Sequence, residues 1–147
     1  MEQKEDKLMS HKLFVSLPVK NLDRSVAFFK AIGFTFNPKV TGDTAACMLI
    51  GEHAYAMLLV EPFFKTFTPQ PIADARSATE VILAVSCESK GAVDEMVRKA
   101  VAAGATTPMP AQDHGFLYQH GYQDLDGHLW ELMWMDMSQV PQHVSAS

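Results

Sequence analysis

Apolar residues recur along this chain in two alternating rhythms, and the order of those rhythms repeats. Lys12–Val19 (KLFVSLPV) has the β-rich, partly alternating character of a strand. Asn21 then offers a helix N-cap, and Leu22, Val26, Phe29 and Ile32 follow at helical spacing until Gly33 ends the run. Three strand-like stretches come next, predicted over Phe34–Lys39, Asp43–Ile50 and His53–Val60, with Thr41-Gly42 and Gly51-Glu52 between them. Residues 61–79 carry three prolines and two polar clusters, which predicts a connector with at most one helical turn near Pro62–Phe67. Its Phe63, Phe64 and Phe67 are suited to capping a core or an interface. The rhythm then restarts. Glu80–Cys87 (EVILAVSC) reads as an apolar strand, and Ser89 as the cap of a second helix. Val93, Met96, Val97, Ala100 and Val101 form its inner stripe, and Gly104 closes it. A short strand near Thr106–Ala111 leads into Gln112–Asp136, two strands joined at Asp126-Gly127. The expected organisation is β-α-β-β-β twice. The first module spans 12–64, a connector 65–79 and the second module 80–136, with tails at 1–11 and 137–147. Met9 could be an alternative start. One such unit leaves a sheet face uncovered, so the fold class is α+β, two modules forming curved mixed sheets around a cleft with helices outside.

The last hairpin holds the residue that most needs explaining. Glu131 sits in an otherwise apolar strand between Trp130 and Leu132, where a carboxylate is costly to bury unless paired, hydrogen-bonded or bound to a cation. Buried without a metal, it would favour its protonated form, which suits a general base acting beside a carbonyl. Tyr118, His120 and Tyr122 share one strand face by the period of two. That face either lines a cleft or packs beneath a helix. His114, in Asp113-His114-Gly115, is a candidate acid–base at a cavity mouth or simply loop chemistry. Asp124 and Asp126 suit the turn as caps, and His128 reads as exposed or structural. Met48, Met57, Met133 and Met135 are core residues or an apolar cleft wall. His11, His53 and His143 belong to no constellation.

Composition narrows the class. The net charge is −5 and the basic residues are scattered, which argues against nucleic acid. Apolar runs fall short of the roughly 20 residues of a membrane helix, and the polar start lacks the apolar core of a signal peptide. Cys47 and Cys87 stand outside any CxxC pair, as expected of thiols in a reducing cytoplasm. No nucleophile elbow, P-loop or dinucleotide fingerprint is present.

Two motifs add a family likeness. PVKNLDRSVAFFKAIGF (Pro18–Phe34) and YQDLDGHLWELMW (Tyr122–Trp134) resemble the opening and closing segments of the vicinal-oxygen-chelate superfamily. That superfamily includes glyoxalase I, extradiol dioxygenases, and fosfomycin- and bleomycin-resistance proteins. The resemblance covers about Lys12–Asp136 and implies a small-molecule ligand and a homodimer. It also implies a metal held by one residue from each of four strands. Those positions fall on Phe14, Leu58, Glu80 and Glu131, so two are apolar and two are carboxylates. Such a set suits Mg²⁺ or Mn²⁺ with several waters better than Zn²⁺ or Ni²⁺, unless His114 or His120 adds a donor. The cofactor is thus either a divalent metal or none. If Glu80 and Glu131 faced one cavity, their repulsion would favour a cation or a shared proton.

Two functions follow. One is a lactoylglutathione-lyase-like enzyme, with Glu131 as base or metal ligand and His114 assisting. The other is a non-catalytic binding protein of the bleomycin-resistance type, with Phe14, Leu58, Tyr118 and Glu80 lining its site.

Overall fold

The computed structural model describes residues 11–139. Residues 1–10 and 140–147, with Met9 and His143, lie outside the described residues; of the expected tails at 1–11 and 137–147, the described part is His11 and a 3-10 turn, Met137–Gln139. The chain divides into two units, one ending at Ile72 and the other beginning at Ala73.

In the first unit, β1 (Leu13–Val19) leads to α1 (Leu22–Ala31), then β2 (Thr35–Asn37), β3 (Ala45–Gly51) and β4 (Ala54–Val60). The sheet order is β1-β4-β3-β2, with β1 parallel to β4 and the other pairs antiparallel. Helix α1 begins where the sequence predicts, because Asn21 accepts a hydrogen bond from the backbone N–H of Arg24 at 3.0 Å. Asn21→Ala should therefore cost about 1 kcal/mol, read as a lowered urea midpoint. Gly33 turns the chain at φ +112°. Helix α1 buries Leu22, Ser25, Phe28 and Phe29, with Ile32 just beyond it; Val26 is only half-buried. The partnered trio Leu17, Leu58 and Ala46 lies deep in this core. The second predicted strand, Phe34–Lys39, is cut short to Thr35–Asn37: Pro38 starts a 3-10 turn, Pro38–Val40, that Asn37 caps. A short helix α2 (Glu61–Phe64) and a 3-10 turn (Lys65–Phe67) follow β4, and Phe63 meets Phe67 edge to face at 5.2 Å.

The second unit repeats the plan with β5 (Ile82–Ser86), α3 (Lys90–Ala102), β6 (Gln112–Asp113), β7 (Leu117–Gln123) and β8 (Leu129–Met135). Its order is β5-β8-β7-β6, again with the first strand parallel to the last. Ser89 caps α3 by accepting from the N–H of Ala92 at 3.0 Å, and Gly104 closes it at φ +115°. Val93, Val97 and Ala100 are its buried stripe, whereas Val101 is exposed. The strand expected at Thr106–Ala111 reduces to one bridge, Thr106 to Gln123, because Pro108 and Pro110 have no N–H to donate. Among the described residues, no helix is long and apolar enough to cross a membrane.

Candidate functional site

Strand pairing sorts the second sheet into two faces. Tyr122 pairs with Trp130, His120 with Leu132 and Tyr118 with Trp134, and this face packs under α3. The Tyr122 and Trp130 rings lie parallel at 6.3 Å, both sealed from solvent, and burial pushes the Tyr122 phenol far up. Tyr118 donates its hydroxyl to Asp94 of α3 at 2.6 Å, and that carboxylate holds the phenol above its ordinary range. The expected ligand contact by Tyr118 is thus corrected: the side chain ties the sheet to its helix. Lys90 lies 5.9 Å from the Tyr118 ring centroid and 5.7 Å from that of Trp134, and it pairs with Asp113 at 2.9 Å.

The opposite face is open. It carries Ile82 and Ala84 from β5, Gln119, Gly121 and Gln123 from β7, and Leu129, Glu131 and Met133 from β8. With Pro108, Met109, Pro110, Gln112 and Thr79 these enclose a cavity of about 750 Å³. His120, Tyr122 and Trp130 also border it. Their pairing places their side chains on the other face, so they contribute backbone.

Glu131 occupies the centre of this floor. It is paired with Ala84 on one side and Gly121 on the other. It is half-buried, and Gly121 is what makes room for it: a Cβ there would lie 2.9 Å from Glu131 Oε2 and 2.6 Å from the Trp130 carbonyl oxygen. Among the described residues, no hydrogen-bond donor and no ion pair reaches the Glu131 carboxylate. Two neighbouring amides are engaged elsewhere. Gln123 Nε2 donates to the Gly127 carbonyl at 2.9 Å, and Gln119 Nε2 to Gln112 Oε1 at 3.4 Å.

The other expected site residues do not converge on it. Glu80 is exposed and precedes β5; Ala84 is the partner of Glu131, so about 13 Å of strand separates the two carboxylates. His114 lies in the exposed β6–β7 turn, before Leu117, while Glu131 faces Gly121, again about 13 Å along the strand. In the first unit Leu58 is 0% exposed, out of any ligand's reach, and the strand period puts Phe14 on the opposite sheet face. Phe14 is 53% exposed and stacks on Tyr55 with ring centroids 4.7 Å apart.

This donor set does not fit the metal that the fold family implies. Among the described residues no three His, Cys, Asp or Glu side chains come together. One carboxylate among amides and apolar groups is not the three- or four-ligand shell of a Zn²⁺ or Ni²⁺ site. The chemistry available here is that of one carboxylate in a largely apolar hollow.

The hairpin that presents Glu131 is held by a residue that the sequence reading placed only as a cap. Asp124 is buried; its Oδ1 accepts from the N–H groups of Asp126 (3.0 Å) and His128 (2.9 Å), and its Oδ2 accepts from Trp130 Nε1 at 2.9 Å. Burial pushes its carboxyl up, while His128 and these hydrogen bonds pull it back. Gly127, at φ +95°, abuts the backbone of Ala75 and Arg76, and the Arg76 guanidinium donates to the Leu125 carbonyl.

Known proteins share this plan. Residues 12–51 match the family model described as bleomycin resistance protein-like N-terminal. No curated protein sequence matches the chain. Among solved structures, a hypothetical protein from S. aureus is 24% identical with a TM-score of 0.72, over 84% of this chain and 92% of that one. A glyoxalase-related enzyme from Fulvimarina pelagi is 17% identical with a TM-score of 0.71, over 85% and 88%. TioX from Micromonospora sp. ML1 is 27% identical with a TM-score of 0.57, over 83% and 94%. The chain therefore has the paired β-α-β-β-β fold of these structures, and its opening segment is similar to the N-terminal part of bleomycin resistance-like proteins.

Proposed function

We propose that this protein binds a small, largely apolar molecule in the cavity of its second unit and holds it without turnover, as bleomycin-resistance-type proteins do. One observation carries the reading. A hollow of about 750 Å³ is floored by Ile82, Ala84, Leu129 and Met133, and among the described residues no cluster of titratable side chains gathers around its one carboxylate. The volume lies within the range of small-molecule sites, and apolar walls with few polar groups are what such sites use. The match of residues 12–51 to a bleomycin-resistance-like segment supports the same branch. The free thiols Cys47 and Cys87 support a cytoplasmic location.

The test is a fluorescence titration of the whole protein with Nile red, a neutral apolar dye. Wild type should saturate. Ala84→Trp, which fills the floor from an exposed strand position, should weaken binding by about tenfold or more with an unchanged melting temperature. Absence of saturable binding, or an unaffected Ala84→Trp, would sink the reading.

The placement of Glu131 on the cavity floor favours one second reading, a lactoylglutathione-lyase-like proton abstraction with Glu131 as base. Turnover of a glutathione hemithioacetal, lost in Glu131→Gln, would support that alternative.

A further inference from the structure

The cavity floor pairs an apolar surface with one uncompensated carboxylate, and we infer that it selects a molecule carrying a protonated amine on an apolar, aromatic body. The inference rests on the binding reading above and deepens it. Of the residues lining the cavity, none is Lys or Arg, and among the described residues no ion pair reaches Glu131. A carboxylate partly withdrawn from water is stabilised by a proton, a metal or an organic cation. The donor set does not fit a metal that needs three or four protein ligands.

The surroundings suit an organic cation. Glu131 is flanked by the two smallest side positions on the floor, Ala84 and Gly121, so a compact head group can sit directly against its oxygens. The near contact at Gly121 shows how closely the chain is cut around Oε2. Diagonal to Glu131 on the same face stands Gln123, whose Nε2 is held by the Gly127 carbonyl, which leaves its Oε1 as an acceptor. Two acceptors on adjacent positions, with no opposing donor, match an ammonium group and disfavour a carboxylate or phosphate. Ile82, Leu129, Met133 and Met109 supply the apolar bed, and Met thioethers adapt well to aromatic rings.

The experiment uses three ligands of one shape on the full chain, each displacing Nile red: protonated naphthylmethylamine, neutral ethylnaphthalene and anionic naphthylacetate. In wild type the amine should bind about tenfold or more tighter than the neutral compound, and the anion weaker than both. Glu131→Gln should bring the affinities of the amine and the neutral compound together. Ile82→Lys sets a cation on the neighbouring strand of the same face, at a position 58% exposed, and should remove the amine's advantage even if Glu131→Gln does not fold. Equal amine and neutral binding in wild type overturns the inference and leaves the cavity reading standing. So does an amine preference that survives in folded Glu131→Gln. Stoichiometric uptake of Mg²⁺, Mn²⁺ or Zn²⁺ that displaces the amine overturns it in favour of a metal site. Failure of the neutral compound and Nile red alike defeats the cavity reading itself, and this inference with it.

Discussion

Replacing Asp124 with alanine should destabilise the protein by about 3 kcal/mol, read as a lowered urea midpoint with an unchanged slope. Three hydrogen bonds go at once. Two of them close the turn, because Oδ1 receives the N–H groups of Asp126 and His128. Loss of such a clasp resembles loss of a helix cap, about 1 kcal/mol. The third is the heavier loss. Trp130 is 1% exposed and its indole N–H ends on Asp124 Oδ2, so in the alanine variant that donor is left in the core without this acceptor. A stranded buried donor costs about 1–3 kcal/mol. Asp124→Asn should fall between wild type and alanine, since its amide keeps one acceptor but turns an N–H₂ toward existing donors. A midpoint within experimental error of wild type for Asp124→Ala would mean that water replaces the carboxylate freely, against its burial.

Gly121→Ala should cost about 2–3 kcal/mol, and the sign of the effect is the informative part. In an ordinary strand the change would stabilise, because glycine loses more backbone freedom and packs nothing. Here the added Cβ would meet the Trp130 carbonyl oxygen at 2.6 Å and Glu131 Oε2 at 2.9 Å. The first neighbour is backbone of the partner strand and cannot step aside without loosening the β7–β8 ladder. Thermal unfolding by circular dichroism decides it: a melting temperature raised or unchanged by the substitution would show that the strands separate easily at this point.

The fold was legible because its signals are local. Asn21 and Ser89 cap helices where a short polar side chain precedes an amphipathic run, Gly33 and Gly104 end them at positive φ, and Gly127 makes the last turn. The shared face of Tyr118, His120 and Tyr122 followed from the period of two. The site was harder to read, because it depends on which face a strand presents. AYAMLLV and EVILAVSC are apolar on both sides, and with no alternation a one-residue shift turns every side chain over. That is how Leu58, a core residue, came to stand for a site position that the Phe14 face would take from Tyr55 or Met57. Glu80 was drawn in for the same reason, two residues ahead of where β5 begins. Gly121 and the Asp124–Trp130 bond depend on close approach across the hairpin, which spacing alone does not encode.

In both units the opening strand takes its parallel partner from the closing one: β1 lies against β4, and β5 against β8. During synthesis β1 therefore has no native neighbour until Val60 has left the ribosome, while the intervening antiparallel strands can already pair. Assembly of each unit should begin at its hairpin and finish at its edge, since the distant pairing must await closure of the whole intervening loop. The strand bearing Ile82 and Ala84 is thus the last part of the cavity floor to arrive, and the hollow exists only once the second unit has been made almost to its end.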